Sequence, residues 1–139
     1  FLRRCGADIT RVRKMFRDDM ACYQAKAEAV RRAEVYRQEF AIAECPSDID
    51  SPTVLAAQAA NELLDISGIK ASFVLTVYEG KIYMSARSID EVNVQIIAEK
   101  LGGGGHINSA GAQFDHTNIE EAIKALKQTI DTMIEEGDI

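Results

Sequence analysis

The 139-residue chain lacks most features that mark disulfide-rich, membrane-spanning or disordered proteins. Its three cysteines all lie in the first third and have no zinc-like spacing, and this small, odd number favours a reducing, intracellular setting. No run approaches the roughly 18 apolar residues that a membrane span needs, and no signal-peptide pattern occurs at the start. With only two prolines and 47% hydrophobic residues, the composition is that of one globular domain or a domain with an appendage.

Arginine is scarce in the second part of the chain, where Arg87 is the only one beyond Arg37. Residues 1–44 carry ten Lys/Arg against seven Asp/Glu, and residues 45–139 carry six against fifteen, so the formal charges are +3 and −9. A protein that coats DNA or RNA needs many clustered cations. The acidic part therefore argues against a nucleic-acid coat, whereas a small anionic ligand held by one arginine fits this charge distribution.

Hydrophobic periodicity predicts an α/β (α+β) fold in which helices pack on a mixed β-sheet. Two helices come first, from Asp8 through Phe16 and from Asp19 to Tyr36, and their basic face is either a solvated surface or a surface that steers nucleic acid. A strand at Phe40–Cys45, a helix from Ser51-Pro52 to about Ile66, and a hairpin of Ala71–Tyr78 and Lys81–Ser88 around Glu79-Gly80 follow. The last predicted elements are a helix at Val92–Leu101, a strand at Ala112–Phe114 and a helix from the capping box Thr117–Glu120 to Gly137.

Four consecutive glycines, Gly102, Gly103, Gly104 and Gly105, follow the predicted helix at Val92–Leu101. One glycine is enough to end a helix, and each further glycine costs conformational entropy on folding. The run therefore indicates close approach to the backbone, with successive N–H groups able to bind an anion such as phosphate; a flexible hinge is the alternative. A Walker loop needs Gly-Lys-Ser/Thr and a dinucleotide fingerprint follows a strand, so both are excluded.

Two side chains near this run can bind an anion. His106 follows the glycines directly, and its imidazole either donates to a phosphate oxygen or base edge or makes a structural hydrogen bond. Arg87 ends a predicted strand and shares a face with Tyr83; its guanidinium suits a bidentate phosphate contact, and pairing with Asp90 or Glu91 is the alternative. Because no metal-ligand cluster or nucleophile–base arrangement occurs, the sequence offers a phosphate-binding site without an evident cleaving group.

Three segments occur together in this region: Ser85-Ala86-Arg87-Ser88, Asn93-Val94-Gln95 and Leu101-Gly102-Gly103-Gly104-Gly105-His106. They resemble the DHH-associated C-terminal domain of the DHH phosphoesterases, in particular the GdpP type that hydrolyses cyclic di-AMP. The similarity covers nearly the whole chain. The glycine–histidine motif alone is shared with RecJ-type exonucleases, oligoribonucleases and alanyl-tRNA synthetases, and its combination with the other two segments is more specific.

The resemblance implies a division of labour between two parts of a longer protein. Residues 1–44 would be a helical segment that ends the catalytic DHH lobe and links it to the next domain, and residues 45–139 would be the DHH-associated substrate-binding domain. In that domain Gly102–Gly105 with His106 would bind the phosphate or nucleoside, Arg87 would clamp the charge, and Ser85, Ser88 and Asn93 would add polar contacts. The two Mn²⁺ ions of the family are expected in the upstream DHH lobe, and no cofactor is expected in this chain.

The resemblance also sets the expected ligands and partners. The ligand would be a cyclic dinucleotide or a short oligonucleotide, and the partners would be the upstream DHH lobe of the same chain and a second copy in a homodimer. A chain that begins with Phe1 is expected to be a piece of a longer cytoplasmic protein, which in this family can carry membrane-spanning segments, and is not expected to hydrolyse its ligand alone. An oligoribonuclease- or exonuclease-like phosphoesterase and a non-catalytic RNA-binding module remain alternatives.

Overall fold

A computed structural model describes residues 20–45, 52–89 and 92–137 of the chain. In chain order these residues form α1 (Met20–Arg31), β1 (Glu34–Tyr36), β2 (Phe40–Glu44), α2 (Pro52–Leu63), β3 (Ala71–Tyr78), β4 (Lys81–Ser88), α3 (Val94–Lys100), β5 (Gly104–His106), β6 (Ser109–Phe114) and α4 (Ile119–Glu136). The helix expected from Asp8 through Phe16, the helix cap at Ser51 and the carboxylates of Asp90 and Glu91 lie outside the described residues.

The strands form one mixed sheet in the order β1-β2-β3-β4-β6-β5. Strands β2 and β3 are parallel and connected through α2, whereas the other neighbouring pairs are antiparallel. Helix α3 carries the chain from β4 to the edge strand β5, and β6 then returns between them. The fold is thus the predicted mixed sheet with packed helices, and the predicted α/β (α+β) class is confirmed. In the described part of the chain no helix is long and apolar enough to cross a membrane.

The sheet separates two hydrophobic cores, because side chains alternate between its faces. On one face, Phe73, Leu75 and Met84 pack with Ile97 of α3 and Leu126 of α4. On the other, the smaller core joins β2 and β3 to α1 and α2, with members that include Ala29, Ala43, Leu55, Ala59 and Val74. Strand β3 is buried on both faces as far as Thr76, which explains its nearly continuous apolar sequence.

The chain after α1 differs from the sequence prediction, which extends a helix from Asp19 to Tyr36. The helix ends at Arg31, and β1 pairs with β2 through a turn in which Arg37 has a φ of 54°. The Tyr36 hydroxyl donates to the carboxylate of Asp131 on α4 at 2.8 Å. This contact joins residues 95 positions apart in sequence. The prediction rests on local helix propensity, which contains no information about such a distant contact.

The elements predicted for the C-terminal half of the chain are mostly correct, with small shifts in their bounds. The predicted hairpin of β3 and β4 around Glu79-Gly80 is confirmed by the Tyr78–Lys81 pairing. Strand β6 begins at Ser109, three residues before the predicted strand at Ala112–Phe114, because its first residues pair with β5. The sequence does not predict β5, because glycine has a low strand propensity.

The ends of α4 show which cap the sequence uses. The N-cap is Asn118, whose Oδ1 accepts a hydrogen bond from the Glu121 N–H at 2.8 Å, and so begins the helix one residue later than the capping box with Thr117 predicts. The predicted stop at Gly137 is confirmed by its left-handed φ of 79°.

Candidate ligand-binding site

Part of the sheet surface on the side of α2 is not packed into either core. Tyr83, Ser85 and Arg87 of β4 are half-buried there. They alternate with buried residues that belong to the core packed against α3 and α4, which we call the α3–α4 core. On neighbouring β6, alternate positions are exposed or half-buried in the same way: Ser109, Gly111 and Gln113. We call this surface, together with β5 beside it, the open sheet face.

Cross-strand pairing arranges the open sheet face in three rows. The arginine row consists of Arg87, Ser109 and His106; the glycine row of Ser85, Gly111 and Gly104; and the tyrosine row of Tyr83 and Gln113. Residues directly opposite each other share a face, with Cβ atoms about 5 Å apart. The strands that carry Arg87 and His106 lie on either side of β6, so the Cα atoms of these two residues are about 10 Å apart.

Arg87 is the charged group of the open sheet face on β4. Its Nη1 donates to the carbonyl oxygens of Ala86 at 2.8 Å and Ala110 at 3.5 Å, and it forms no ion pair with any carboxylate in the described ranges 20–45, 52–89 and 92–137. Partial burial lowers the pKa of Arg87 by desolvating its charged form, although an arginine stays protonated in any case. The expected alternative, a pair with Asp90 or Glu91, lies outside the described residues.

The glycine run has two different structural roles. A Cβ at Gly103 would overlap the carbonyl oxygen of Gly111, and one at Gly105 would lie 2.6 Å from the carbonyl oxygen of Ser109, so both glycines let β6 approach closely. A Cβ at Gly104 would meet no atom within 4 Å. Close packing within the chain therefore explains Gly103 and Gly105 but leaves Gly104 unexplained.

The backbone amides of the run are only partly available to a ligand. The N–H of Gly102 donates to the Glu99 carbonyl at 3.1 Å, and the N–H of Gly103 donates to the Ala98 carbonyl at 2.7 Å, which closes the end of α3. An anion nest built from all four successive amides therefore does not form, because the first two already have acceptors inside the chain. The flexible hinge is not what these residues form either, since Gly104 and Gly105 belong to a paired strand.

The other predicted site residues fall into two groups. Ser85 and His106 lie on the open sheet face, where the exposed His106 has no side-chain hydrogen bond to any described residue. The buried Ser88 hydroxyl donates to the Val92 carbonyl at 2.6 Å, and the Asn93 side chain caps α3. The structure therefore gives Ser88 and Asn93 structural partners, and a ligand contact from either remains a prediction.

A shallow cavity of about 370 Å³ lies over the glycine and tyrosine rows. Its lining combines backbone and small residues with four side chains that carry polar groups, and includes Thr53 at the start of α2, Tyr83, Ser85, Gly103, Gly111 and Gln113. Among the predicted site residues only Ser85, Gly102 and Gly103 line it, and the arginine row lies beside it. Tyr83 and Gln113 were not predicted as binding residues, although strand alternation already placed Tyr83 on the face of Arg87; Gln113 depends on the register of β6, which the sequence does not reveal.

A second cavity, of about 440 Å³, lies at the opposite edge of the sheet, near β1, and is less suited to an anion. Its lining contains Glu28, Glu34 and Glu44 against a single cation, Arg32, and Arg32 already pairs with Glu28 at 2.6 Å. Three carboxylates repel an anion, so this cavity is less suited to an anion than the open sheet face is. Among the described residues, no group of three or more His, Cys, Asp or Glu side chains is arranged to hold a metal ion, so they do not fit the manganese of the family.

Comparison with known proteins finds a matching domain family and similar proteins. The DHHA1 domain model matches residues 38–132. The chain is 41% identical over 132 residues to the cyclic-di-AMP phosphodiesterase PdeA of Listeria monocytogenes, covering 94% of this chain and 20% of that protein. It is 40% identical over 138 residues to the cyclic-di-AMP phosphodiesterase GdpP of Geobacillus thermodenitrificans, covering 99% and 21%. The chain thus spans about a fifth of the length of these curated relatives.

The solved structures agree on the fold. An exopolyphosphatase-related protein from Bacteroides fragilis superposes with a TM-score of 0.71 at 21% identity, covering 81% of this chain and 34% of that one. At this identity the likeness concerns the architecture alone.

Proposed function

Because the chain belongs to the DHHA1 domain family, we propose that it is the substrate-binding domain of a phosphodiesterase that acts on cyclic di-AMP. The identity of about 40% to PdeA and GdpP over nearly the whole chain supports this substrate. The observation that carries the proposal is the arginine row, in which the guanidinium of Arg87, the Ser109 hydroxyl and the His106 imidazole share the open sheet face. All three groups can donate hydrogen bonds to phosphate oxygens.

The electrostatics of Arg87 favour an anionic ligand. Its charge is partly desolvated and has no ion-pair partner in the described residues, so part of its hydration is lost without a compensating ion pair. A phosphate group would supply the missing ion pair, and the planar guanidinium can donate to two of its oxygens at once. One such cation suits a ligand with one or two phosphates, whereas a long nucleic acid would need many.

In this proposal the chain binds the dinucleotide and a separate lobe hydrolyses it. The described residues do not fit a metal, so the manganese centre implied by the family resemblance would belong to a DHH lobe that faces the open sheet face across a cleft. Residues 1–44 would end that lobe and link it to the binding domain. The role of the open sheet face is then to hold the ligand in one orientation while the other lobe acts on its phosphorus.

Replacing Arg87 by alanine tests the phosphate contact. We expect Arg87→Ala to weaken binding of cyclic di-AMP to the 139-residue chain by about tenfold or more, because hydrogen bonds to charged groups typically contribute about 1.5–3 kcal/mol. Isothermal titration calorimetry measures the dissociation constant. His106→Ala should weaken binding less, because a solvent-exposed imidazole contributes less than a guanidinium.

The matched control is Arg31→Ala, which removes an arginine that pairs with Glu28 on α1, outside the open sheet face. It should leave the affinity for cyclic di-AMP unchanged. Equal affinity of wild type and Arg87→Ala would overturn the assignment of the arginine row. Tighter binding of the linear dinucleotide than of the cyclic one would instead favour the alternative function on short oligonucleotides.

A further inference from the structure

Tyr83 and Gln113 lie directly opposite each other at the end of the open sheet face that is farthest from Arg87. Both line the 370 Å³ cavity, together with Thr53 of α2. Neither has a role in the two hydrophobic cores, since Tyr83 is half-buried and Gln113 is exposed. An aromatic ring beside an amide in a shallow cavity is suited to a flat heterocycle that also has hydrogen-bonding edges.

The Tyr83 ring is held in place by a second aromatic ring. Its centroid lies 6.1 Å from that of Tyr78 on the neighbouring strand β3, with the two planes tilted by 58°. This arrangement is within the range of favourable aromatic pairs and limits the freedom of the Tyr83 ring before a ligand arrives. A ring that is already ordered can stack on a nucleobase at a lower entropic cost.

The Gln113 amide is held in one orientation by a carboxylate. Its Nε2 donates to the Oδ1 of Asp115 at 3.0 Å. A carboxylate accepts hydrogen bonds and does not donate them, so it holds the nitrogen of the amide towards Asp115. The carbonyl oxygen of Gln113 therefore remains available as an acceptor, and the second N–H of Nε2 remains available as a donor.

The rows of the open sheet face follow the order of the parts of a nucleotide. The arginine, glycine and tyrosine rows are successive alternate positions on β4 and β6, so neighbouring rows are about 7 Å apart along the strands. A phosphate at the arginine row would place the sugar over the glycine row, where Gly104 leaves space. The base then lies over Tyr83 and Gln113.

We infer that the tyrosine row is the adenine subsite of the domain: the base stacks on Tyr83, and the oriented amide of Gln113 binds adenine N6 and N7. The inference rests on the proposed function and adds to it the residues that choose the base. A glutamine amide pairs with adenine because its oxygen accepts from N6 and its nitrogen donates to N7. Guanine presents acceptors at both O6 and N7, so the carbonyl oxygen of the amide would face an acceptor in either orientation.

The test is a comparison of cyclic di-AMP with cyclic di-GMP by calorimetric titration of the 139-residue chain. Wild type should bind cyclic di-AMP at least about tenfold more tightly. Gln113→Leu should weaken binding of cyclic di-AMP by about tenfold while leaving that of cyclic di-GMP nearly unchanged, so the preference disappears. Asp115→Ala should also reduce the preference, because the amide is then no longer held in the orientation that pairs with adenine.

Two further substitutions separate base recognition from other causes. Tyr83→Leu should weaken both ligands to a similar degree, because stacking does not depend on the identity of the base, and Tyr83→Phe should restore binding. The matched control Gln128→Leu removes an exposed glutamine of α4, on the opposite side of the sheet, and should change neither affinity.

The possible outcomes distinguish the base subsite from the proposed function itself. If wild type binds neither ligand, or Arg87→Ala has no effect, the proposed function fails. If Arg87→Ala weakens both ligands while Gln113→Leu leaves the adenine preference intact, the proposed function stands and the adenine subsite is wrong. Thermal melting of each variant verifies that it is folded under the conditions of the titration.

Discussion

At the scale of single residues, neighbouring positions of one motif have different physical reasons for being glycine. Gly103 and Gly105 face the alanines of β6 on the side of the α3–α4 core, where a Cβ would lie 2.8 Å from the Cβ of Ala112 or Ala110. Gly104 points to the opposite side, onto the open sheet face, where no described atom fills the space. The alternation of a strand thus explains why Gly103 and Gly105 are needed for close packing, whereas Gly104 faces open space.

This division predicts opposite outcomes for two alanine substitutions. Gly103→Ala should lower the free energy of unfolding by about 1–3 kcal/mol or more, because overpacking forces β5 and β6 apart. Gly104→Ala should change it by less than about 0.5 kcal/mol. Its methyl group should nevertheless weaken cyclic di-AMP binding, because it occupies space that the ligand would fill.

Urea denaturation measures the unfolding free energy of both variants, and titration of the folded Gly104→Ala variant measures its affinity. A Gly104→Ala variant that binds as tightly as wild type would show that the ligand does not approach β5. A fully stable Gly103→Ala variant would contradict the close packing of β5 against β6.

At the scale of elements, the short helix α3 begins at a residue that has a capping role and for which a binding role is also predicted. Asn93 belongs to a segment that the family resemblance assigns to the site, and its Oδ1 accepts a hydrogen bond from the Ile96 N–H at 3.3 Å. Helix α3 has seven residues, so one cap satisfies a large share of its unpaired N-terminal amides. The cap also fixes where α3 begins, and therefore where the chain enters the glycine run.

A pair of substitutions at Asn93 separates capping from ligand binding. Asn93→Ala should lower the free energy of unfolding by about 1 kcal/mol, whereas Asn93→Ser should retain most of it because serine is also a good N-cap. If the role of Asn93 is only to cap, Asn93→Ser binds cyclic di-AMP as wild type does. A serine variant with normal stability and weakened binding would instead establish a direct ligand contact.

The elements also show what the sequence can predict. Long periodic segments such as β3, β4 and α4 were predicted within a few residues, because their alternation or helical spacing reflects burial. Strand β1 and strand β5 were missed, because one lies in a helix-forming composition and the other consists largely of glycine. Both strands exist through pairing with distant or later residues, and a local pattern does not contain that information.

The candidate site follows the same distinction. The sequence identified Arg87 and the glycine–histidine motif from their chemistry, but not Ser109 or Gln113 as their neighbours, because the register of β6 against β4 decides which residues share a row. The family resemblance implies a polar ligand contact for Ser88, and the structure shows that its hydroxyl is buried and accepts a hydrogen bond from the Asn108 side chain at 2.9 Å.

At the scale of the whole molecule, the uneven charge distribution limits which ligands fit. The acidic part of the chain, residues 45–139, has a formal charge of −9 and contains one arginine. Among the described residues the basic groups of α1 are largely engaged: Arg31 and Arg32 both pair with Glu28, and Lys26 pairs with Glu62. A polyanion would therefore meet more repulsion than attraction over most of this surface.

The charge distribution predicts a weak dependence of binding on salt. In a plot of the logarithm of the association constant against the logarithm of salt concentration, we expect a slope between about −1 and −2 for cyclic di-AMP, because few phosphates are neutralised. Titrations from 50 to 500 mM KCl, roughly a tenfold range, measure this slope. A single-stranded RNA of about ten nucleotides is the comparison ligand, and tight RNA binding with a steep negative slope would support the RNA-binding alternative.

The two cores have a consequence for how a domain of this kind can change. Strand β3 contributes to both cores, whereas the tyrosine and glycine rows contribute almost nothing to either of them. A Cβ at Gly111 would lie 2.9 Å from the carbonyl oxygen of Met84, but substitutions of Tyr83, Ser85 or Gln113 should cost little folding free energy. If the open sheet face binds the ligand as proposed, single substitutions at these three positions would change the ligand preference over evolutionary time and leave the rest of the fold unchanged.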